Sequence, residues 1–115
     1  MSEDVCSVEA IGRFLEDGTT REILLAANQT PQSAESLSKA TGASKPTVYR
    51  RLDDLRECNL LVERLRPDPD GGHHHRVYTT DLARIIIELE DHGFDVEVTR
   101  REGMADRFTR LVEEM

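Results

Sequence analysis

Tryptophan is absent from this chain of 115 residues, and three phenylalanines and two tyrosines are all the aromatic surface it has. Its core must therefore be aliphatic, and nothing in the composition marks an aromatic-lined pocket for a small-molecule effector. Cysteine is scarce as well: Cys6 and Cys58 lie far apart and outside any C-x-x-C pair. This excludes a dense disulfide framework and predicts two reduced, buried thiols, with redox sensing through Cys58 as the alternative. No run approaches the roughly 20 apolar residues of a membrane span. The N-terminus has no basic stretch followed by an apolar one, so export is not indicated and a cytoplasmic location is expected. A nucleophile elbow, a phosphate loop and a dinucleotide fingerprint are also missing, so neither an enzyme nor a bound cofactor is expected. The length suits one domain with a short appendage.

Lysine is the scarcest charge. Only Lys39 and Lys45 occur among fifteen basic residues, against 23 acidic ones, and the net charge is -8. Such a balance opposes DNA binding, because phosphate neutralisation asks for a basic face. The charge is unevenly spread, however. Between Thr30 and Thr80 eight basic residues (Lys39, Lys45, Arg50, Arg51, Arg56, Arg64, Arg66, Arg76) face seven acidic ones, leaving +1 there and -9 elsewhere. High acid content with little lysine resembles the proteins of salt-loving archaea. Near 1 M salt the screening length falls to about 3 Å, so an acidic surface repels DNA far less than in dilute buffer.

Hydrophobic spacing divides the chain into short elements. Val8, Ile11, Phe14 and Leu15 recur at helical spacing from Ser7 to about Glu16, with Gly18 as the expected stop. Thr19-Thr20-Arg21-Glu22 has the form of a capping box and predicts a second helix to about Asn28, with Ile23, Leu24 and Ala27 on one face. Thr30-Pro31-Gln32 interrupts the chain. Ser33 then caps a third helix with Ala34, Leu37 and Ala40 on its apolar side, ending near Gly42. A fourth helix is predicted from Lys45 to about Cys58, with Ser44 as N-cap and Pro46 in the first turn, where no amide hydrogen is needed. Its residues Val48, Leu52 and Leu55 form one inward stripe, and Asn59 ends it by tolerating positive φ.

Leu60 to Arg66 and Arg76 to Thr80 read as two strands around the turn formers Pro67-Asp68-Pro69-Asp70-Gly71-Gly72, which together make a wing. Beyond it, Ile85, Ile87 and Leu89, then Phe94, Val96 and Val98, alternate with polar positions around Asp91-His92-Gly93 and predict a second hairpin. Met104, Phe108, Leu111, Val112 and Met115 predict a closing amphipathic helix. The fold class expected is α+β: a winged helix-turn-helix over residues 1–80, with a C-terminal hairpin and helix over 81–115 that dimerise it.

Two helices joined by a short glycine-containing turn, the second opening with small polar and basic residues, have the arrangement that places a helix in the major groove. The outward residues of the N-terminal half are Lys45, Pro46, Thr47, Tyr49 and Arg50, whereas Asp53, Asp54 and Glu57 follow in the C-terminal half. The helix is thus expected to enter the groove by its N-terminal end. Arg50 is the candidate for a bidentate base contact, with Thr47 and Tyr49 beside it. Ser44, Lys45 and Arg51 suit backbone phosphates, and Ser33 joins them at the start of the preceding helix.

The segment SAESLSKATGASKPTVYRRLDDLRECNLL resembles the winged helix-turn-helix of ArsR-like regulators, and more closely the small regulators of haloarchaea. The resemblance extends from about Thr19 to Thr80 and is most specific at G-A-S-x-x-T-V-Y-R-R-L-x-x-L. Asn59 departs from the glycine such proteins often carry before the wing. The resemblance implies a dimeric regulator of transcription that binds double-stranded DNA, and it identifies neither operator nor effector.

In the wing, His73, His74, His75 and Arg76 are expected to touch phosphate or the adjacent minor groove, with His74 and Arg76 as the site residues. His73 and His75 share one side of a strand, and with Asp70 or a second subunit they offer zinc or nickel ligands; a solvated wing without ligand is the alternative. A metal or small-molecule effector therefore stays open. The main rival function is a winged-helix adaptor that binds protein partners of the transcription machinery, and a metal- or redox-responsive regulator is a further one.

Overall fold

The computed structural model describes residues 6–67, 71 and 74–101, in the order α1 (Val8–Glu16), α2 (Gly18–Gln29), α3 (Ala34–Thr41), α4 (Lys45–Glu57), β1 (Leu61–Pro67), β2 (His74–Thr80), β3 (Leu82–Glu90) and β4 (Gly93–Arg100). This is the expected α+β order of four helices and two hairpins. The predicted closing helix, the wing residues Asp68 to Asp70 and Gly72, and His73 lie outside the described residues. No described helix is long and apolar enough to cross a membrane.

Each helix begins where a side-chain oxygen caps it. Ser7, Ser33 and Ser44 accept hydrogen bonds from the amides of Ala10, Ser36 and Thr47, satisfying donors that the helix itself leaves open. The start of α2 differs from expectation. Gly18 is its first residue rather than the stop of α1, and Asp17 replaces the Thr19 capping box. Asp17 both ends α1, through its amide on the Arg13 carbonyl, and caps α2 through its carboxylate. A carboxylate there accepts from the Thr20 amide and hydroxyl together, at 2.9 and 2.7 Å, and Thr20, one helical step before Ile23 and Leu24, is buried and unable to serve solvent.

Gly42 ends α3 in the left-handed conformation (φ 77°), and Asn59 does the same after α4 (φ 59°), where glycine and asparagine carry the least steric penalty. The turn between α3 and α4 is stitched by side chains: the Ser38 hydroxyl donates to the Ala43 carbonyl at 2.6 Å, and the Thr41 hydroxyl accepts from the Ala43 amide at 3.1 Å.

The core is aliphatic, as the composition requires. Ile11, Ile23, Leu37, Val48, Leu52, Leu55 and Leu60 are almost completely buried, drawn from all four helices and the start of the wing. Ala40, expected on the apolar side of α3, is exposed instead, because Ala34 and Leu37 alone meet the core of so short a helix. β1 and β2 pair antiparallel from Leu61 with Thr80 to Pro67 with His74. The wing is therefore longer than expected on the second strand, since His74 and His75 find partners opposite Pro67 and Arg66. Its base is held at two places. The Thr80 hydroxyl donates to the Leu24 carbonyl at 2.7 Å in buried surroundings, and Gln32, in the α2–α3 linker, exchanges backbone hydrogen bonds of 3.0 and 2.8 Å with Tyr78.

The second hairpin forms as predicted, with β3 and β4 antiparallel around Asp91 and His92. One face collects the cross-strand pairs Ile85/Val98, Ile87/Val96 and Leu89/Phe94. Ile85, Val96 and Val98 pack against the core, whereas Ile87, Leu89 and Phe94, toward the tip, remain 45, 73 and 59% exposed.

The two cysteines correct the sequence reading. They are not separate reduced thiols but a Cys6–Cys58 disulfide with Cα atoms 5.2 Å apart. Their distance in sequence was no guide, because α1 returns the chain beside the end of α4. Closing a loop across 52 positions restricts the unfolded chain by about 4 kcal/mol in the chain-entropy description.

If the α4 stripe is the centre of the core, Leu52→Ala should lower unfolding free energy by about 2 to 5 kcal/mol. A shift of the urea midpoint corresponding to less than about 1 kcal/mol would place the centre elsewhere.

Candidate nucleic-acid interface

Burial of Val48, Leu52 and Leu55 against the other helices sets the rotation of α4. With 3.6 residues per turn, Pro46, Arg50, Asp53 and Glu57 are then carried to the opposite side. Arg50 is exposed and its guanidinium lies 3.4 Å from the Thr47 hydroxyl, which itself faces the Ser44 hydroxyl at 3.1 Å. Ser44, Thr47 and Arg50 thus form one polar row along the first turns of α4. Asp53, Asp54 and Glu57 follow on the same helix, all exposed, so the sign of the surface changes from basic to acidic along its length.

Beside this row is an open cleft of about 660 Å³ between the N-termini of α3 and α4 and the wing. Lys45 and Tyr49 line it from α4, Ser33 from the start of α3, and Arg66, His75 and Arg76 from the wing. Two helix N-termini bring partial positive charge to this side of the molecule, adding to the cationic side chains. Tyr78 forms part of the cleft wall. It is 3% exposed, and burial, followed by the Glu63 carboxylate across the strand pair, pushes its phenol above the usual value. It therefore stays protonated.

Glu63 fixes the wing to α4. Its carboxylate lies 3.0 Å from the Arg56 guanidinium of α4 and 3.7 Å from that of Arg76 on β2. Arg76 nevertheless keeps 69% of its side chain exposed, so it is oriented rather than consumed by the pair.

Of the sequence-predicted residues, the cleft gathers Ser33, Lys45, Tyr49 and Arg76, and the start of α4 adds the exposed Ser44, Pro46 and Arg50 and the half-buried Thr47. His74 is exposed at the start of β2, opposite Pro67. Arg51 is placed differently. It points to the α1–α2 junction, where its Nε donates to the Asp17 carboxylate at 2.9 Å and its side chain is 31% exposed. Its evident task is to hold α4 on the start of α2. The Arg51 and Thr20 hydrogen bonds hold the Asp17 carboxyl down at about 2 from 3.8. The zinc or nickel arrangement considered from sequence needs His73, with Asp70 or a second subunit to complete it, and both His73 and Asp70 lie outside the described residues.

The cleft also includes Arg66 and Gln32, which sequence reasoning did not single out, and His75, which it considered as a phosphate contact or metal ligand. The available signal was strand register: with Leu61 opposite Thr80, Arg66 falls beside His75. That register depends on a wing loop whose length the turn residues alone do not fix.

Residues 17–62 match the family model described as bacterial regulatory protein, arsR family. The match spans α2, α3, α4 and the first residues of β1. Among solved structures, the chain is similar to an ArsR-like transcriptional regulator from Rhodococcus sp. RHA1, with a TM-score of 0.50 and 23% identity over 64% of this chain. The chain spans 62% of that protein's length, and at this identity the likeness concerns the fold. Among curated proteins none matches.

The Asp17–Arg51 contact carries a pH signature. The folded-state value lies below the unfolded one, so its stabilisation is complete above about pH 4 and is lost as pH falls toward 2. For a pair this exposed the contribution is about 1 kcal/mol. Asp17→Asn should remove that part of the acid dependence in denaturant titrations between pH 5 and 2, while an unchanged slope would assign the pair no role in stability.

Proposed function

We propose that this protein is a transcription regulator that binds double-stranded DNA in a sequence-specific manner as a homodimer. The observation that carries the reading is the grouping of basic and hydroxyl side chains at the start of α4 and in the adjoining cleft: the Ser44–Thr47–Arg50 row with Lys45, Arg66 and Arg76, which outnumber the cleft's Glu35. The match of residues 17–62 to arsR-family regulators supports it. In this reading α4 enters the major groove by its N-terminal half, where Arg50 reads a base edge and Thr47 and Tyr49 contact a base or phosphate. Ser33, Ser44 and Lys45 hold phosphates, while His74 and Arg76 bring the wing onto the flanking backbone or minor groove. Arg51 acts behind the interface, keeping α4 in place through Asp17.

Residues 1–80 form the DNA-binding unit and 81–115 the dimerisation extension. The apolar tip of the second hairpin supports this division, because Ile87, Leu89 and Phe94 are exposed together on one face, and a two-fold partner covers such a face symmetrically. Two recognition helices about 34 Å apart then meet a roughly palindromic site. The low lysine and high acid content fit a cytoplasm of high salt, where screening is short.

Footprinting of the protein on its own upstream region at molar potassium chloride tests the reading. A protected two-fold site is expected, and Arg50→Ala should weaken binding by 1–3 kcal/mol, about 5- to 150-fold, and relax specificity at one position. Lys45→Ala should weaken specific and random duplexes alike and reduce the salt slope by about 1. Absence of protection at any salt concentration, with both variants indistinguishable from the parent, would favour a protein-binding adaptor. Light scattering at high salt should give the mass of a dimer; a monomeric mass would contradict the assignment of residues 81–115.

A further inference from the structure

The Cys6–Cys58 bridge has a cavity beside it that the DNA-facing residues do not use. About 290 Å³ of open space lies between α1 and the C-terminal half of α4, lined by Ser7, Arg13, Phe14, Asp54, Glu57 and Cys58. Cys6 is 8% exposed, whereas Cys58 is half-buried and forms part of the cavity wall. We propose that this cavity is a thiol–disulfide exchange site that admits a small aminothiol to the Cys58 sulfur.

Three features give the site its direction. Access favours attack at Cys58, since it, and not Cys6, lines the cavity. Helix electrostatics favour departure of Cys6. It immediately precedes Ser7, the N-cap of α1, where the positive end of the helix stabilises a thiolate, while Cys58 is the C-cap of α4, where a thiolate is disfavoured. The sulfur whose thiolate is more stable leaves faster. Charge selects the reagent. Asp54 and Glu57 place two carboxylates against the single guanidinium of Arg13, so a thiol carrying an ammonium group is attracted and one carrying a carboxylate repelled.

The exchange is balanced as written. The incoming thiolate bonds to the Cys58 sulfur as the Cys6–Cys58 bond breaks, and the Cys6 thiolate takes the proton the reagent gave up. A second thiolate attacks the reagent's own sulfur in the mixed disulfide, releasing the small disulfide and the Cys58 thiolate, which takes the proton the second reagent gave up. Two aminothiols are oxidised to one disulfide, and the protein bridge is reduced to two thiols. A small disulfide drives the same steps in reverse. Opening the bridge releases Cys6 from the end of α4, three residues ahead of β1. The chemistry stands independently of what the opposite half of α4 binds.

The test uses the oxidised full chain treated with cysteamine, 2-mercaptoethanol or mercaptoacetate at equal thiolate concentration in dilute buffer. Appearance of protein thiols is followed in time, and early mixed disulfides are trapped and located by peptide mass. Cysteamine should react fastest and mercaptoacetate slowest, with steps of about threefold to fivefold as exposed charge pairs allow, and the early adduct should be on Cys58. The spread should collapse in the Asp54→Asn, Glu57→Gln double variant and persist in Glu35→Gln, Glu90→Gln, which changes net charge equally at a distance. An adduct on Cys6, rates equal for all three thiols, a spread that both double variants reduce alike, or a chain that forms no Cys6–Cys58 bridge on oxidation would each overturn the proposal.

Discussion

Burial of Val48, Leu52 and Leu55 determines how the rest of the molecule presents itself. Once these three side chains enter the aliphatic core, α4 has no rotational freedom left, and its polar residues acquire fixed directions. Each flank of the helix is then claimed by a different neighbour. On one side Arg51 meets the carboxylate that joins α1 to α2, and on the other Arg56 meets Glu63 of the wing. Between them the first turns of α4 remain exposed and basic. Neither ion pair is strong in isolation, because both are partly solvated, but each opposes rotation in a different sense. The aliphatic stripe supplies the energy, and the pairs make the orientation definite.

The wing is positioned by the same economy of contacts. A two-stranded hairpin alone is marginal in water, and this one gains a short third partner where Gln32 pairs with Tyr78. That pairing brings the α2–α3 linker and the start of α3 against the wing, producing the cleft in which Lys45, Arg66, His75 and Arg76 converge. Basic groups that are scattered through the sequence, and outnumbered by acids overall, become one surface. The net charge of -8 therefore says little about this side of the protein.

Much of this was legible in the sequence because local signals agreed with one another. Ser33 and Ser44 mark helix starts, Gly42 and Asn59 mark ends, and the period-two pattern of Phe94, Val96 and Val98 marks the second hairpin. The misreadings share one physical cause, which is dependence on long-range contacts. Thr19 looked like a cap because the sequence does not reveal that Asp17 also binds Arg51, 34 positions away. Arg51 resembled a phosphate ligand for the same reason. The cysteines looked independent because nothing local records that α1 returns to the end of α4. In the cleft, Ser33, Lys45, Tyr49 and Arg76 were legible from helix and strand phase, but Arg66 and His75 required the wing register.

In the proposed function, the exposed start of α4 and the adjoining cleft together meet DNA. Amide hydrogen exchange on the full chain, with and without a duplex from its own upstream region, examines that surface without altering a residue. Slowed exchange is expected at Ser33 to Ser36, at Lys45 to Arg50 and along His74 to Tyr78, with α1 unaffected. Slowed exchange confined to α1 and the acidic end of α4, with the cleft unchanged, would contradict it.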